Sequence, residues 1–167
     1  MIRWNFLISL PIFLIFAFFS KQILSLIFGK TYASASIPLI ILSSGYFIYS
    51  TLFASHSILN SFKMTKKIMY NTLAATIINI ILNLILIPKI GIVGAAIATS
   101  ISLMTVSVLA TFQVKRLLKS TPLSYKFFLM LIFEILILLM LNQVLDINSV
   151  IKLGLALIVY LIIHVAL

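Results

Sequence analysis

The sequence predicts an all-α polytopic membrane protein, a bundle of about six transmembrane helices, and two observations lead to that prediction. The first is composition: 63% of the 167 residues are apolar and 8% are charged, whereas soluble domains carry roughly 45–50% apolar and about 25% charged residues. A fold of this length cannot bury so much apolar side chain, because surface-to-volume scaling leaves a large exposed area. The second is the arrangement of the apolar residues in runs that match the roughly 20 residues needed to cross a bilayer core.

Six apolar runs can be marked along the chain, and short polar or helix-breaking segments separate them. The runs cover residues 4–20 (with a possible extension to 28), 37–59, 70–87, 92–114, 127–145 and 150–167. Residues 88–91 (PKIG) predict a turn between the third and fourth spans, because proline ends helices and glycine permits positive φ. The remaining loops are too short to hold a soluble domain.

The basic residues predict the orientation of the spans. The net charge is +10, but Lys and Arg lie in breaks between apolar runs without interleaved aromatic residues, so we expect no nucleic-acid partner. With a cytoplasmic N-terminus, more basic residues fall in cytoplasmic segments than outside, which predicts a multi-pass protein of the cytoplasmic membrane with both termini inside. The cytoplasmic set is Arg3, Lys63, Lys66, Lys67, Lys115, Arg116, Lys119 and Lys126, and the outer set is Lys21, Lys30, Lys89 and Lys152.

Reactive side chains are scarce. There is no cysteine, so a thiol nucleophile and a disulfide are excluded. The two acidic residues are far apart in sequence, and no paired carboxylates of the kind an enzyme would use are visible. His56 has no second ligand at metal-binding spacing. We therefore expect no enzyme activity, no metal and no cofactor, and we expect membrane lipids as the immediate partners.

Polar residues inside the second and third spans are the candidates for a substrate path. Tyr46 and Ser50 belong to a polar series in the second span, and Asn79 and Asn83 are four residues apart on one face of the third. An asparagine in hydrocarbon is costly unless its amide is paired or meets water. These side chains therefore either hold helices together or line a polar cavity.

Two further groups of residues carry structural or functional predictions. Glu134 is the only acid inside a span, and a hairpin turning near residue 147 would bring it level with Tyr160 and within about a turn of His164. This set is either a structural hydrogen-bond group or a proton-linked one. In the fourth span, small residues four apart predict close helix packing; they are Gly91, Gly94, Ala95 and Ala98.

Three segments resemble a known family. They are residues 24–33 (LSLIFGKTYA), residues 58–66 (ILNSFKMTK) and, most specifically, residues 79–99, which contain NIILNLILIP and GIVGAAIAT. These segments are similar to the C-terminal region of polysaccharide-biosynthesis exporters, the lipid-linked oligosaccharide flippases of the multidrug/oligosaccharidyl-lipid/polysaccharide superfamily. The second segment departs from the family, which generally has a glycine where this chain has Ser61 or Phe62.

The resemblance implies a fold and an activity. It implies the last six helices of a fourteen-span flippase, with residues 1–119 as four spans of the second lobe and residues 120–167 as two added spans. The implied function is part of a flippase or exporter that translocates lipid-linked oligosaccharide or polysaccharide precursors by alternating access, with a polyprenyl-linked glycan as its ligand. Family members are more than twice as long, so we expect the chain to be incomplete alone and to need a separate N-terminal lobe.

Two alternatives remain open. One is part of a multidrug exporter of the same superfamily, although its only intramembrane acid, Glu134, would fall in the added pair of spans rather than in a lobe cavity. The other is a six-span structural or assembly membrane protein, or a non-functional remnant.

Overall fold

Four long helices make up the part of the chain that the structure, a computed structural model, describes, namely residues 2–118. They are α1 (Ile2–Ile27), α2 (Ser36–Ser61), α3 (Thr65–Ile90) and α4 (Ile92–Leu118), with a short 3-10 helix, Lys30–Ala35, before α2. Each is long and apolar enough to cross a membrane, and 26 residues rise about 39 Å. The helical membrane fold class is thereby confirmed for these residues, and the first four predicted spans each fall within one helix.

The predicted spans at 127–145 and 150–167, and with them the second predicted domain at 120–167, lie outside the described residues. The total of about six spans therefore stays a prediction.

The turn between α3 and α4 is shorter than the sequence predicts. Pro88 lies inside α3, which continues to Ile90, so the expected break at residues 88–90 is wrong. A proline in the last turn removes only one backbone hydrogen bond, and the next amides still pair, since Gly91 N donates to the Ile87 carbonyl at 2.9 Å. The reversal falls on Gly91 alone, whose φ of +58° is easily reached without a Cβ.

The turn between α2 and α3 is stabilised by two backbone hydrogen bonds. Lys63 N donates to the Asn60 carbonyl at 2.9 Å, and Met64 N donates to the Leu59 carbonyl at 3.0 Å. This pair of bonds defines a Schellman motif, which normally places glycine where Lys63 stands with a φ of +55°. The motif brings Met64 against the buried Leu59, so the backbone turn and an apolar contact support each other.

Helix α4 is the centre of the packing. It lies against both α2 and α3, whereas α1 packs against α2. Its buried positions are mostly small: Gly94, Ala96, Ala98, Ser100, Ser102, Val106, Ser107, Ala110 and Val114. By contrast, α3 buries only Asn71 and Ala75. Most of the α3 surface is therefore apolar and exposed, as hydrocarbon or further protein in the membrane would require.

The crossing of α2 over α4 depends on a missing side chain. A Cβ on Gly45 would lie 2.6 Å from Ser100 Cα and 2.7 Å from Ser100 Cβ. Because one of these atoms is backbone, rotation of a side chain cannot relieve the contact. The short separation also lets Ser100 Oγ donate a 2.8 Å hydrogen bond to the Ile41 carbonyl of α2. Close backbone approach over a small residue is the usual basis of helix association in membranes.

Replacing Gly45 should separate α2 from α4. We expect Gly45→Ala to lower the thermal midpoint of the detergent-solubilised protein, with a loss of about 1–3 kcal/mol typical of overpacking, because the new methyl group meets the Ser100 backbone. Ser43→Ala is the matched control, since the Ser43 hydroxyl donates to the Ile40 carbonyl of its own helix and not to the Ile41 carbonyl that Ser100 reaches. Equal midpoints for Gly45→Ala and the native chain would show that the helices do not approach this closely.

Candidate functional site

A groove of about 450 Å³ runs between α1 and α2. Its walls are mainly aromatic and aliphatic, with serine and tyrosine hydroxyls among them. Helix α1 contributes Ser9, Ile12, Phe13 and Phe16, and α2 contributes Leu39, Leu42, Ser43, Tyr46, Phe47, Tyr49, Ser50 and Phe53. A cleft of this size fits a small ligand or a segment of a larger one.

Aromatic contacts join α1 to α2 along the groove. The Phe47 ring of α2 stacks on Phe13 with centroids 5.1 Å apart and meets Phe6 at 5.5 Å. Near the N-terminal end of α1, Asn5 Nδ2 donates to the Ser50 carbonyl at 3.3 Å. The groove is therefore formed by two helices that touch through rings and one amide.

Two of the predicted substrate-path residues line this groove. Tyr46 is 53% exposed, and Ser50 lies one turn further along the same face of α2. The Ser43 hydroxyl, one turn before Tyr46, donates to the Ile40 carbonyl of its own helix at 2.9 Å. The groove thus offers an apolar surface with a row of hydroxyl-bearing side chains on α2.

The aromatic row on α2 ends at a histidine. The His56 ring lies 5.9 Å from the Tyr49 ring and 6.2 Å from the Phe53 ring, centroid to centroid. His56 Nε2 is buried without a hydrogen-bond partner, and so is the Thr51 hydroxyl on the same helix. Buried polar atoms are rarely left unpaired, but neither His56 nor Thr51 is among the residues that line the groove.

The two predicted asparagines lie elsewhere. Asn83 Nδ2 donates to Asn79 Oδ1 at 2.9 Å within α3, and no residue of α3 lines the groove. Asn83 Oδ1 is buried without a partner. The structure therefore brings Tyr46 and Ser50 together but does not place Asn79 and Asn83 with them.

The four small residues predicted to pack helix α4 differ in how deeply they are buried. A Cβ on Gly94 would lie 2.6 Å from the Leu86 carbonyl oxygen, so Gly94 sits where the backbones of α3 and α4 are in close contact. Ala98 is fully buried. Ala95 is half-buried, and Gly91 is the exposed turn residue, with no atom within 4 Å of an added Cβ.

Glu134, Tyr160 and His164 lie outside the described residues. Within residues 2–118 there is no group of three or more side chains that could hold a metal ion. Both acids of the chain, Glu134 and Asp146, come after this part, so no carboxylate is available in the groove from α1–α4.

Polar contacts between helices involve residues that the sequence analysis did not single out. Asn71 Nδ2 donates to Gln113 Oε1 at 3.1 Å, and Gln113 Nε2 donates back to Asn71 Oδ1 at 2.7 Å. Ser55 and Thr111 hydroxyls lie 3.1 Å apart and link α2 to α4. The available signal is that Asn71 and Gln113 are amides placed just inside the basic ends of α3 and α4.

The fold and groove define a multi-pass membrane protein with a largely apolar cleft, bordered by a few hydroxyl-bearing side chains, between its first two helices. The MatE family model matches residues 1–85, and the chain belongs to that family. No solved structure matches the chain.

Two curated relatives are longer than this chain. One is named a probable low-salt glycan biosynthesis flippase from Haloferax volcanii; it is 34% identical over 98 residues, covering 59% of this chain and 21% of the relative. The other, an uncharacterized membrane protein from Methanocaldococcus jannaschii, is 28% identical over 163 residues, covering 94% of this chain and 31% of the relative. The chain thus spans about a fifth to a third of the relatives that it matches.

The amide pair should behave as a unit. We expect Asn71→Leu or Gln113→Leu alone to lower the free energy of unfolding by about 0.6–1.7 kcal/mol, the range of interhelical hydrogen bonds in membranes, because the remaining amide is left unpaired. Replacing both should cost less than the sum of the two single changes, since no amide is then orphaned. Thermal unfolding of the four proteins in one detergent measures the coupling, and strictly additive losses would contradict the reciprocal pair.

Proposed function

We propose that the chain forms part of a flippase that moves lipid-linked oligosaccharide or polysaccharide precursors across the cytoplasmic membrane by alternating access. Membership of the MatE family supports transport, and the name of the Haloferax volcanii relative supports a glycan precursor as cargo. The observation that carries the proposal is the groove between α1 and α2. Because the chain spans only part of its relatives, the activity of the whole protein is part of this proposal.

The groove suits an amphipathic cargo. Its apolar side chains can contact an isoprenoid chain, while Tyr46, Tyr49 and Ser50 present groups that hydrogen-bond sugar hydroxyls. Rings such as Phe13 and Phe47 also provide flat apolar surface for contact with a sugar face. At about 450 Å³ the groove holds a segment of such a molecule, so other surfaces of the transporter must contact the rest.

A multidrug exporter of the same superfamily is the second candidate. Coupling to cations in such a protein calls for a carboxylate near the cavity, and residues 2–118 contain none because both acids lie at 134 and 146. The part of the cavity that these residues form is therefore neutral, which is compatible with the glycan precursor. A structural or assembly role is the third candidate, and it requires no ligand in the groove.

The remaining site predictions are parts of the same proposal. Asn79 and Asn83 of α3 are proposed as a second polar part of the substrate path. The Asn83 Oδ1 atom has no hydrogen-bond partner within the described residues. Glu134, Tyr160 and His164 are proposed as a structural or proton-linked group. A separate N-terminal lobe chain is proposed as the protein partner.

Photocrosslinking at Tyr46 tests the groove as a ligand site. In membranes that contain a radiolabelled polyprenyl-linked oligosaccharide, we expect benzoylphenylalanine at Tyr46 to capture several-fold more label than benzoylphenylalanine at Ile77. Ile77 is a matched control because it is 49% exposed in the middle of α3, against 53% for Tyr46 in the middle of α2. Equal capture at both positions would contradict the proposal, and displacement by a hydrophobic cation but not by unlabelled lipid-linked glycan would favour drug export.

We also propose that α1 begins on the cytoplasmic side, as the distribution of basic residues predicts. The chain has no native cysteine, so single thiols can be placed at two exposed serines, Ser34 before α2 and Ser61 at the end of α2. We expect a membrane-impermeant maleimide to label Ser34→Cys in intact cells and to label Ser61→Cys only after permeabilisation. The opposite pattern would reverse the proposed orientation.

A further inference from the structure

Five basic side chains gather at one end of the helix bundle. They are Lys63, Lys66 and Lys67, around the turn from α2 to α3, and Lys115 and Arg116 in the last turn of α4. All five are exposed. We call them the basic cluster.

Tertiary contacts bring the two halves of the basic cluster together from positions about 50 residues apart in the sequence. The reciprocal hydrogen bonds between Asn71 and Gln113 hold these two residues of α3 and α4 at the same height along the helix axes. In antiparallel helices with a rise of about 1.5 Å per residue, Lys66 and Lys67 then lie within about 8 Å of that pair along the axis, and Lys115 and Arg116 within about 5 Å. Met64, just before α3, and Ile68 of α3 pack against the buried group that includes Val114 of α4, which fixes the same register through apolar contacts.

The basic cluster has no acidic partner within residues 2–118, because the two acids of the chain are Glu134 and Asp146. Five like charges at the same end of two adjacent helices and in the turn before α3 repel one another and attract anions. An anion with more than one oxygen could accept hydrogen bonds from several of these ammonium groups and from the guanidinium together.

Aromatic side chains border the basic cluster. The Arg116 guanidinium carbon lies 4.3 Å from the centroid of the Phe112 ring, and Phe62 and Tyr70 are 53% and 63% exposed. Exposed rings beside Lys and Arg at helix ends are typical of the membrane interface, where rings lie among acyl chains and cations among headgroups. A free soluble anion would contact only the charges, whereas a phospholipid would contact both charges and rings.

We propose that the basic cluster is a binding site for the phosphate headgroup of an anionic phospholipid. The headgroup lies between the α2–α3 turn and the end of α4, and its acyl chains pass along the exposed apolar surface of α3. The site is separate from the groove between α1 and α2, so it holds a structural lipid and does not depend on the identity of the transported cargo.

Two triple variants with the same change in net charge test the proposal. The first is Lys66→Gln/Lys67→Gln/Arg116→Gln, within the basic cluster. The second is Lys21→Gln/Lys30→Gln/Lys89→Gln, in which all three basic residues are exposed and lie towards the opposite end of the helices. The probes are phosphatidylglycerol and phosphatidylcholine added to the detergent-solubilised full chain, with binding followed by native mass spectrometry and thermal shift.

We expect the native chain to retain phosphatidylglycerol in preference to phosphatidylcholine. Each cation near an anionic lipid contributes about 1 kcal/mol, or about fivefold in affinity, so the cluster variant should bind phosphatidylglycerol roughly a hundredfold more weakly and the control variant close to normally. A charge-preserving variant, Lys66→Arg/Lys67→Arg/Arg116→Lys, should keep the preference. A lipid-free thermal midpoint of the glutamine variant equal to that of the native chain shows that its loss of binding is not misfolding.

Three outcomes would overturn the proposal. Equal weakening in both glutamine variants would indicate general attraction to net charge, and equal binding of both lipids by the native chain would indicate no headgroup site. Displacement of phosphatidylglycerol by millimolar inorganic phosphate would indicate a site for a free anion. None of these readouts measures transport, so the result stands apart from the proposed flippase activity.

Discussion

The close approach of α2 and α4 at Gly45 and Ser100 is the constraint on which the rest of the described structure depends. Helices in a bilayer gain no hydrophobic free energy by leaving lipid for one another, so contact between backbones and a few polar bonds must hold them together. Gly45 allows the approach, and Ser100 uses it to reach the Ile41 carbonyl. Helix α4 also packs against α3, where Gly94 meets the Leu86 backbone.

This arrangement leaves one face of α2 for α1 and for the groove. Since α4 and α1 both pack on α2, the aromatic residues of α2 that do not meet α4 contact α1 or line the cleft. The groove is apolar because hydrocarbon-facing helices supply its walls, and its polarity comes only from hydroxyls that can remain in such surroundings at modest cost. The absence of carboxylates from residues 2–118 follows from the sequence and gives the cleft its neutral character.

The polar contacts of the bundle join different pairs of helices and have different consequences. Ser100 and the Ser55–Thr111 pair join α2 to α4, whereas the Asn71–Gln113 pair joins α3 to α4 near one end. Small hydroxyls cost little when buried because a helix carbonyl can accept their proton. An amide has more groups to satisfy, so the pairing of two amides with each other fixes the relative height of their helices and, with it, the position of the basic residues beyond them.

The sequence by itself determined the membrane class and the four spans within residues 2–118, and each turn lies within a segment predicted to separate two spans. Composition and the length of apolar runs are local properties, and they decide whether a segment is stable in a bilayer. It also placed Tyr46 and Ser50 on one face, since helical periodicity sets which neighbours share a surface. Only the tertiary structure decided which helices touch. It separated Asn79 and Asn83 from the groove, extended α3 through Pro88, paired Asn71 with Gln113, and joined basic residues from two distant segments. These features depend on the register and crossing of helices that are far apart in sequence. That register is set by the fit of side chains between helices, which a local sequence pattern does not contain.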